Sequence, residues 1–206
     1  MRVKTDAKRK ALLQAATDVF LEQGYERTLM AQISARADCS KGTLYSYFAS
    51  KEDIFCEAVL AATAAESNAV FVDLETPEED VARMLRKFGN GFLQTLYTPR
   101  FRALRRLVFA ASAELDVGRR VYDIAVRPYE ERAAGLLQAA MDSGHLKQAD
   151  SQVAASHLCA LLESELLLRF LMNALDEIDP ERLEAVASRA VAVFWAAYGE
   201  APDTAV

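Results

Sequence analysis

Apolar residues recur at helical spacing through most of the chain, and polar punctuation cuts that pattern into segments. Between Asp6 and Gln23, Leu12, Ala16, Val19 and Phe20 fall at i, i+4, i+7 and i+8, which predicts a helix with one buried face. Gly24 is its stop signal. Met30, Ile33 and Ala37 predict a second, short helix, with Thr28 as its N-cap. Ala37-Asp-Cys39 reads as a turn. Ser40 then caps a third helix whose Leu44 and Phe48 point inward at i, i+4. Ser50-Lys-Glu-Asp53 has the capping-box pattern and opens a fourth helix, with Ile54, Phe55, Ala58 and Val59 as its first inward stripe.

The remaining segments are also helical. Thr76-Pro-Glu-Glu79 predicts an N-cap with proline in the first turn of a helix reaching Leu96. A break at Tyr97-Thr-Pro99 precedes a helix near Phe101–Glu114, and another is expected from Val117 to Ser143, kinked or split at Pro128 and closed by Gly144. Asp150 or Ser151 starts a strongly apolar helix expected to reach Leu175. Asp179-Pro-Glu181 starts the last, which runs to Tyr198. No strand pattern or internal repeat is visible. The fold class predicted is all-α: a three-helix, helix-turn-helix head over residues 1–52 and a helical body over residues 53–200.

Charge sharpens this division. Residues 1–56 carry nine Lys/Arg against seven Asp/Glu, net +2, while residues 57–206 carry fifteen against twenty-three, net −8. A mildly basic head on an acidic body suits phosphate contact by the head alone. No uninterrupted apolar run approaches the ~18 residues of a membrane span. The basic N-terminus lacks a signal peptide's apolar stretch, so a cytoplasmic protein without a membrane partner is expected. Cys39, Cys56 and Cys159 form neither a metal-ligand spacing nor a disulfide framework. His145 and His157 lie in no nucleophile, metal or phosphate motif. No catalytic residue, metal or cofactor is therefore expected, and an enzyme is the weaker reading.

The third helix offers polar groups where the others offer leucine. Lys41 can reach a guanine edge or a phosphate, and Thr43 can present a methyl or a hydroxyl to a base. Gly42 permits close approach to a groove. Tyr45, Tyr47, Thr28 and Ser40 can donate to phosphate, and Lys51 lies in the first turn of the next helix, where free N–H groups also attract phosphate. A helix with one face on a core and such a set on the other is suited to the major groove.

These residues carry a resemblance. Ala15-Ala16, Phe20, Gly24-Tyr25, Thr28, Ile33, Ser40-Lys-Gly-Thr-Leu-Tyr45, Tyr47-Phe48 and Lys51-Glu52 resemble the DNA-binding domain of TetR-family transcriptional regulators. Ser34, where the family usually has alanine, and Asp38-Cys39, where it has Gly-Val, are departures; Asp38 still tolerates left-handed geometry. In the body, Phe101-Arg-Ala-Leu-Arg-Arg-Leu-Val-Phe-Ala110 and Gly118-Arg-Arg-Val-Tyr122 are similar to the AefR-like branch, some members of which control efflux pumps. The resemblance implies a homodimer that binds a palindromic double-stranded DNA operator, usually as a repressor. It also implies a body that binds a small hydrophobic or amphipathic effector. The alternative is a DNA-associated interaction module without small-molecule sensing.

Two sets of body residues follow. Phe88, Phe92, Leu107 and Tyr122 are candidate effector-lining residues, each also an ordinary core candidate. Glu165 and Arg169 interrupt an apolar helix at i, i+4, as an internal ion pair or as a pocket's polar groups. For the dimer interface, Leu183, Ala187, Ala190, Phe194 and Tyr198 form one face of the last helix. Leu162, Leu166 and Phe170 belong to a helix apolar on more than one side, which must be buried by something.

Overall fold

A computed structural model describes residues 5–72, 80–113 and 115–200. The described residues contain no strand. The helices are α1 (Asp6–Gln23), α2 (Met30–Arg36), α3 (Lys41–Tyr47), α4 (Lys51–Val72), α5 (Val81–Leu96), α6 (Pro99–Ala111), α7 (Leu115–Val121), a π-helical turn (Tyr122–Val126), α8 (Arg127–Asp142), α9 (Ser151–Glu163), α10 (Leu167–Leu171) and α11 (Pro180–Tyr198). They divide into two compact units: one holds the chain up to Ala65 together with Pro99–Arg127, the other Glu66–Thr98 together with the chain from Pro128 onward.

In the first unit, α1 to α4 meet around Leu12, Val19, Phe20, Tyr25, Ile33, Leu44, Phe48, Ile54 and Phe55, and α6 and α7 add Leu107, Ala111, Val117 and Val121 to that core. The Phe55 ring stands edge-on to Phe20 (5.0 Å between centroids, 86°) and packs on Tyr25 at 4.8 Å. Gly24 adopts φ +80° and donates its N–H to the Phe20 carbonyl (2.8 Å), ending α1. The Ser40 and Ser50 hydroxyls accept from the Thr43 and Asp53 N–H groups, as their cap positions predict. Thr28 does not cap α2. It is fully buried, its hydroxyl donates to the Gly24 carbonyl at 2.7 Å, and Leu29 takes the cap position with its N–H satisfied by Gln32 Oε1.

Arg120 of α7 donates to Asp53 Oδ1 at 2.7 Å. That hydrogen bond, with the guanidinium's charge, holds the carboxyl below its ordinary 3.8. A lowered folded value means the pair's contribution is present above 3.8 and disappears as pH falls through the folded value. Both side chains are partly solvated, so Asp53→Asn is expected to cost only ~0.2–1 kcal/mol at neutral pH. Urea unfolding of both proteins at a series of pH values should show that difference closing on the acid side. A difference that persists in acid would assign Asp53 a role other than the ion pair.

The second unit packs α5, α8, α9 and α11 around Leu85, Phe88, Leu93, Leu137, Met141, Leu158, Leu162, Phe170, Val186 and Phe194, with Phe71 from the end of α4. A Cβ on Gly89 of α5 would lie 2.7 Å from Leu162 Cδ2 and 3.4 Å from Ala187 Cβ, so glycine lets α5 approach its neighbours. Trp195, partly buried, joins this core near the end of α11.

Three boundaries differ from the sequence reading. The cap expected at Thr76-Pro-Glu-Glu79 lies outside the described residues, and α5 as described starts at Val81 with Asp80 accepting from the Arg83 N–H. The expected split at Pro128 takes the form of the π turn, in which Arg127 N–H bonds the Tyr122 carbonyl; Pro128 has no N–H with which to continue the α ladder. The long helix expected from Ser151 to Leu175 is two helices separated by a turn at 164–166, where the Ser164 hydroxyl donates to the Leu161 carbonyl at 2.7 Å.

Candidate DNA interface

The α2–turn–α3 segment is held from below. Leu44 and Phe48 are 0% and 1% exposed, fixing the inward side of α3. On the other side Lys41, Gly42, Tyr45 and Ser46 are all exposed, at i, i+1, i+4 and i+5 on one helical face. Asp38 supplies the turn with φ +45°, the left-handed conformation aspartate tolerates. Cys39 N–H then bonds the Ser34 carbonyl at 3.0 Å.

An open polar cleft of about 480 Å³ runs beside α3, lined by Lys8, Ser34, Ala35, Asp38, Cys39, Ser40 and Thr43. Lys8 donates to the Ala37 carbonyl at 3.3 Å, placing a cation at the C-terminal end of α2. At Gly42 an added Cβ would meet nothing nearer than Ser40 Oγ at 3.8 Å, so the surface there is open.

The predicted contact residues separate into three groups. Ser40, Lys41, Gly42, Thr43 and Tyr45 lie together on or beside the exposed face, although Ser40 and Thr43 also bond one another at 2.9 Å. Tyr47 is half-buried, and its hydroxyl accepts from the Thr5 N–H at 3.1 Å. Thr28 and Lys51 are engaged by other groups of the same unit. Thr28 is buried as described, while the Lys51 ammonium donates to the Tyr25 and Glu26 carbonyls (3.1 and 3.4 Å) and lies 4.3 Å from the Tyr25 ring centroid. It braces the loop between α1 and α2. Ser46 was not anticipated, although its place one turn beyond Gly42 is a signal the sequence carries.

This is the arrangement a groove-reading helix requires: a rigid underside and a polar, open upper face. Residues 12–58 match the bacterial regulatory proteins of the tetR family, and residues 83–200 match the C-terminal domain of AefR-like transcriptional repressors. The chain belongs to the TetR family. A putative TetR-family transcriptional regulator from Mesorhizobium loti superposes with a TM-score of 0.85 at 26% identity, covering 97% of this chain and 100% of that one. The flavonoid-responsive regulator FrrA superposes at 0.77 with 27% identity, covering 96% and 100%. The DNA-binding transcriptional repressor TetR of Mycobacteroides abscessus is 28% identical over 147 residues, 69% of this chain and 76% of that protein. The TetR-family chain is thus a DNA-binding transcriptional regulator. Among its described residues no helix is long and apolar enough to cross a membrane.

The structure places the body residues singled out from the sequence in several different surroundings. Of the effector set, Phe88 and Phe92 are buried in the second unit, Leu107 belongs to the first unit's core, and Tyr122 is exposed on the π turn, where Arg127 lies 5.6 Å from its ring centroid. Glu165 pairs with Arg189 of α11 through two hydrogen bonds (2.8 and 2.7 Å), not with Arg169, because the turn at 164–166 breaks the i, i+4 register. Arg169 is exposed. Of the dimer set, Leu162, Leu166, Phe170, Leu183, Ala187, Ala190 and Phe194 are buried in the second unit's core. Tyr198 is half-buried, and its hydroxyl is 2.6 Å from His157 Nδ1. Val153, Leu168, Leu171, Met172 and Val193 are large apolar residues left exposed from α9 to α11.

Proposed function

We propose that the chain is a repressor that binds a palindromic operator as a homodimer and releases it when a small hydrophobic effector binds the body. The exposed face formed by Lys41, Gly42, Tyr45 and Ser46 on a helix clamped by Leu44 and Phe48 carries this reading. Two such helices read a palindrome when a dimer spaces them by about one turn of DNA. Support for the second copy comes from α10 and α11. Leu168 and Met172 are 70% and 72% exposed, and the Glu165–Arg189 pair ties the turn before α10 to the middle of α11. Exposed apolar groups so placed suit a partner surface. The domain division proposed is the helix-turn-helix head at 1–52 followed by a sensing and pairing body at 53–200.

A flavonoid-responsive relative supports small-molecule sensing, and the AefR-like match supports the branch in which efflux-pump control was expected. Release follows if the effector favours a conformation that the operator disfavours; operator DNA must then weaken effector binding by the same factor.

Selection of duplexes from a random pool at near-physiological salt is the direct test. An enriched inverted repeat supports the reading. Binding without enrichment that vanishes as salt rises would point to phosphate contact alone and favour the interaction module. On the selected site, Lys41→Ala is expected to lose ~1–3 kcal/mol of affinity. A titration at fixed salt checks this, and an unchanged dissociation constant would make Lys41 a bystander.

A further inference from the structure

The second unit buries one hydroxyl that its packing does not explain. Tyr129, in the first turn of α8, places its ring among Phe71, Phe88 and Phe92, with centroid separations of 4.8, 6.2 and 5.6 Å. Its oxygen is buried and has no hydrogen-bond partner among the described residues. Tyr97, in the same unit, shows the usual solution: its hydroxyl donates to Glu163 Oε1 at 2.7 Å. A phenylalanine at 129 would keep the ring packing and leave no polar atom without a partner, so the hydroxyl requires an account of its own.

The surroundings define what could satisfy it. Burial first, and the nearby Cys159 second, push the Tyr129 phenol upward, so it stays protonated as a donor. Burial pushes the Cys159 thiol up to about 12, so it stays neutral. The charge of Arg132, stacked on Phe71 at 4.1 Å, belongs to an exposed side chain bonded to Asn68. The site therefore offers aromatic faces and a neutral phenol donor, with the Cys159 thiol, which feels the charges of Glu130 and Glu163, nearby. Adjoining it, Phe88 and Ala133, one turn beyond Tyr129 on α8, help line an apolar cavity of about 10 Å³ with Met84, Leu137 and Leu158. That is room for about one water, yet no lining group could hold one. Met84, unbranched and flexible, is a side chain that can yield to a larger guest.

We propose that Tyr129 is the polar anchor of an effector site that takes an uncharged arene bearing a hydrogen-bond acceptor, of the aryl-ketone type. The ligand's ring lies against Phe88, which both faces Tyr129 and lines the small cavity, and its acceptor receives the Tyr129 hydroxyl hydrogen. This deepens the effector part of the proposed function and rests on it.

The test uses two probes of nearly equal shape, acetophenone and ethylbenzene, and the full-length chain without DNA. Calorimetric titration of the wild type is expected to show acetophenone bound about tenfold more tightly, the worth of one neutral hydrogen bond. In Tyr129→Phe acetophenone should bind no better than ethylbenzene, whose own binding is unchanged. The variant's thermal midpoint should be no lower than the wild type's, since no packing is lost. A preference for acetophenone that survives in Tyr129→Phe overturns the assignment, as does a wild type that binds neither probe. Because no DNA is present, failure here leaves the operator selection standing, and failure of that selection leaves this titration readable.

Discussion

Phe55→Ala is expected to lower stability by ~3–5 kcal/mol, the usual cost of removing a fully buried phenylalanine. Phe55 is 0% exposed and its ring holds Phe20 of α1 and Tyr25 of the loop after it. The same loop carries the carbonyls that Lys51 braces, so the cavity would loosen the support of α2 from the α4 side. Operator affinity should fall along with stability, because the proposed reading of DNA by α3 requires its underside to be fixed. Urea unfolding followed by circular dichroism measures the first effect and a gel-shift titration the second. Phe55→Leu, which retains most of the volume, should recover much of both. A stable Phe55→Ala protein with full affinity would show that this core tolerates a cavity and that α3 is supported independently of it.

Leu162→Ala is expected to cost ~2–5 kcal/mol. Leu162 is 0% exposed and its Cδ2 fills the space left above Gly89, where α5 comes closest to it. The methyl groups lost there have no other neighbour to replace them, since Ala187 and Val191 are already in place around the same glycine. Leu168→Asp makes the opposite prediction. Leu168 is exposed, so the chain should keep its fold while self-association weakens at least tenfold, a charge having entered the proposed partner surface. Sedimentation equilibrium combined with thermal melting separates the two outcomes. If Leu162→Ala melted normally but dissociated, Leu162 would belong to the surface between copies and the exposed surface on α10 would lose its assignment.

That contrast shows which features the sequence encodes plainly. Caps are local, so Ser40, Ser50 and Asp179 could each be placed from neighbouring residues, and each accepts an N–H of its helix's first turn; of the two starts offered for α9, Asp150 is the one that caps it. The inward pair Leu44 and Phe48 was equally legible, because a short helix has one way to bury i and i+4. Periodicity says that a face is buried but not what buries it. For α9 and α11 the cover is α5 and the chain's own core, so the residues expected at an interface are internal. Thr28 misled for a related reason: a threonine before a helix suits a cap, but here tertiary packing turns it toward Gly24. The turn before α10 carries no glycine or proline, and the partner of Glu165 lies 24 residues away, beyond any local pattern. The orphan hydroxyl of Tyr129 could not be seen at all without knowing which rings surround it.

Trp195 is the sole tryptophan of the sequence, and it packs into the core of the second unit. Its emission is therefore a built-in optical reporter of that unit's integrity, while the helix-turn-helix contributes only tyrosine and phenylalanine signals. Far-ultraviolet dichroism sums the helices of both units. Recorded on one sample, the two signals compare one unit with the whole chain, and coincident curves would be required before any single unfolding free energy could be assigned to it.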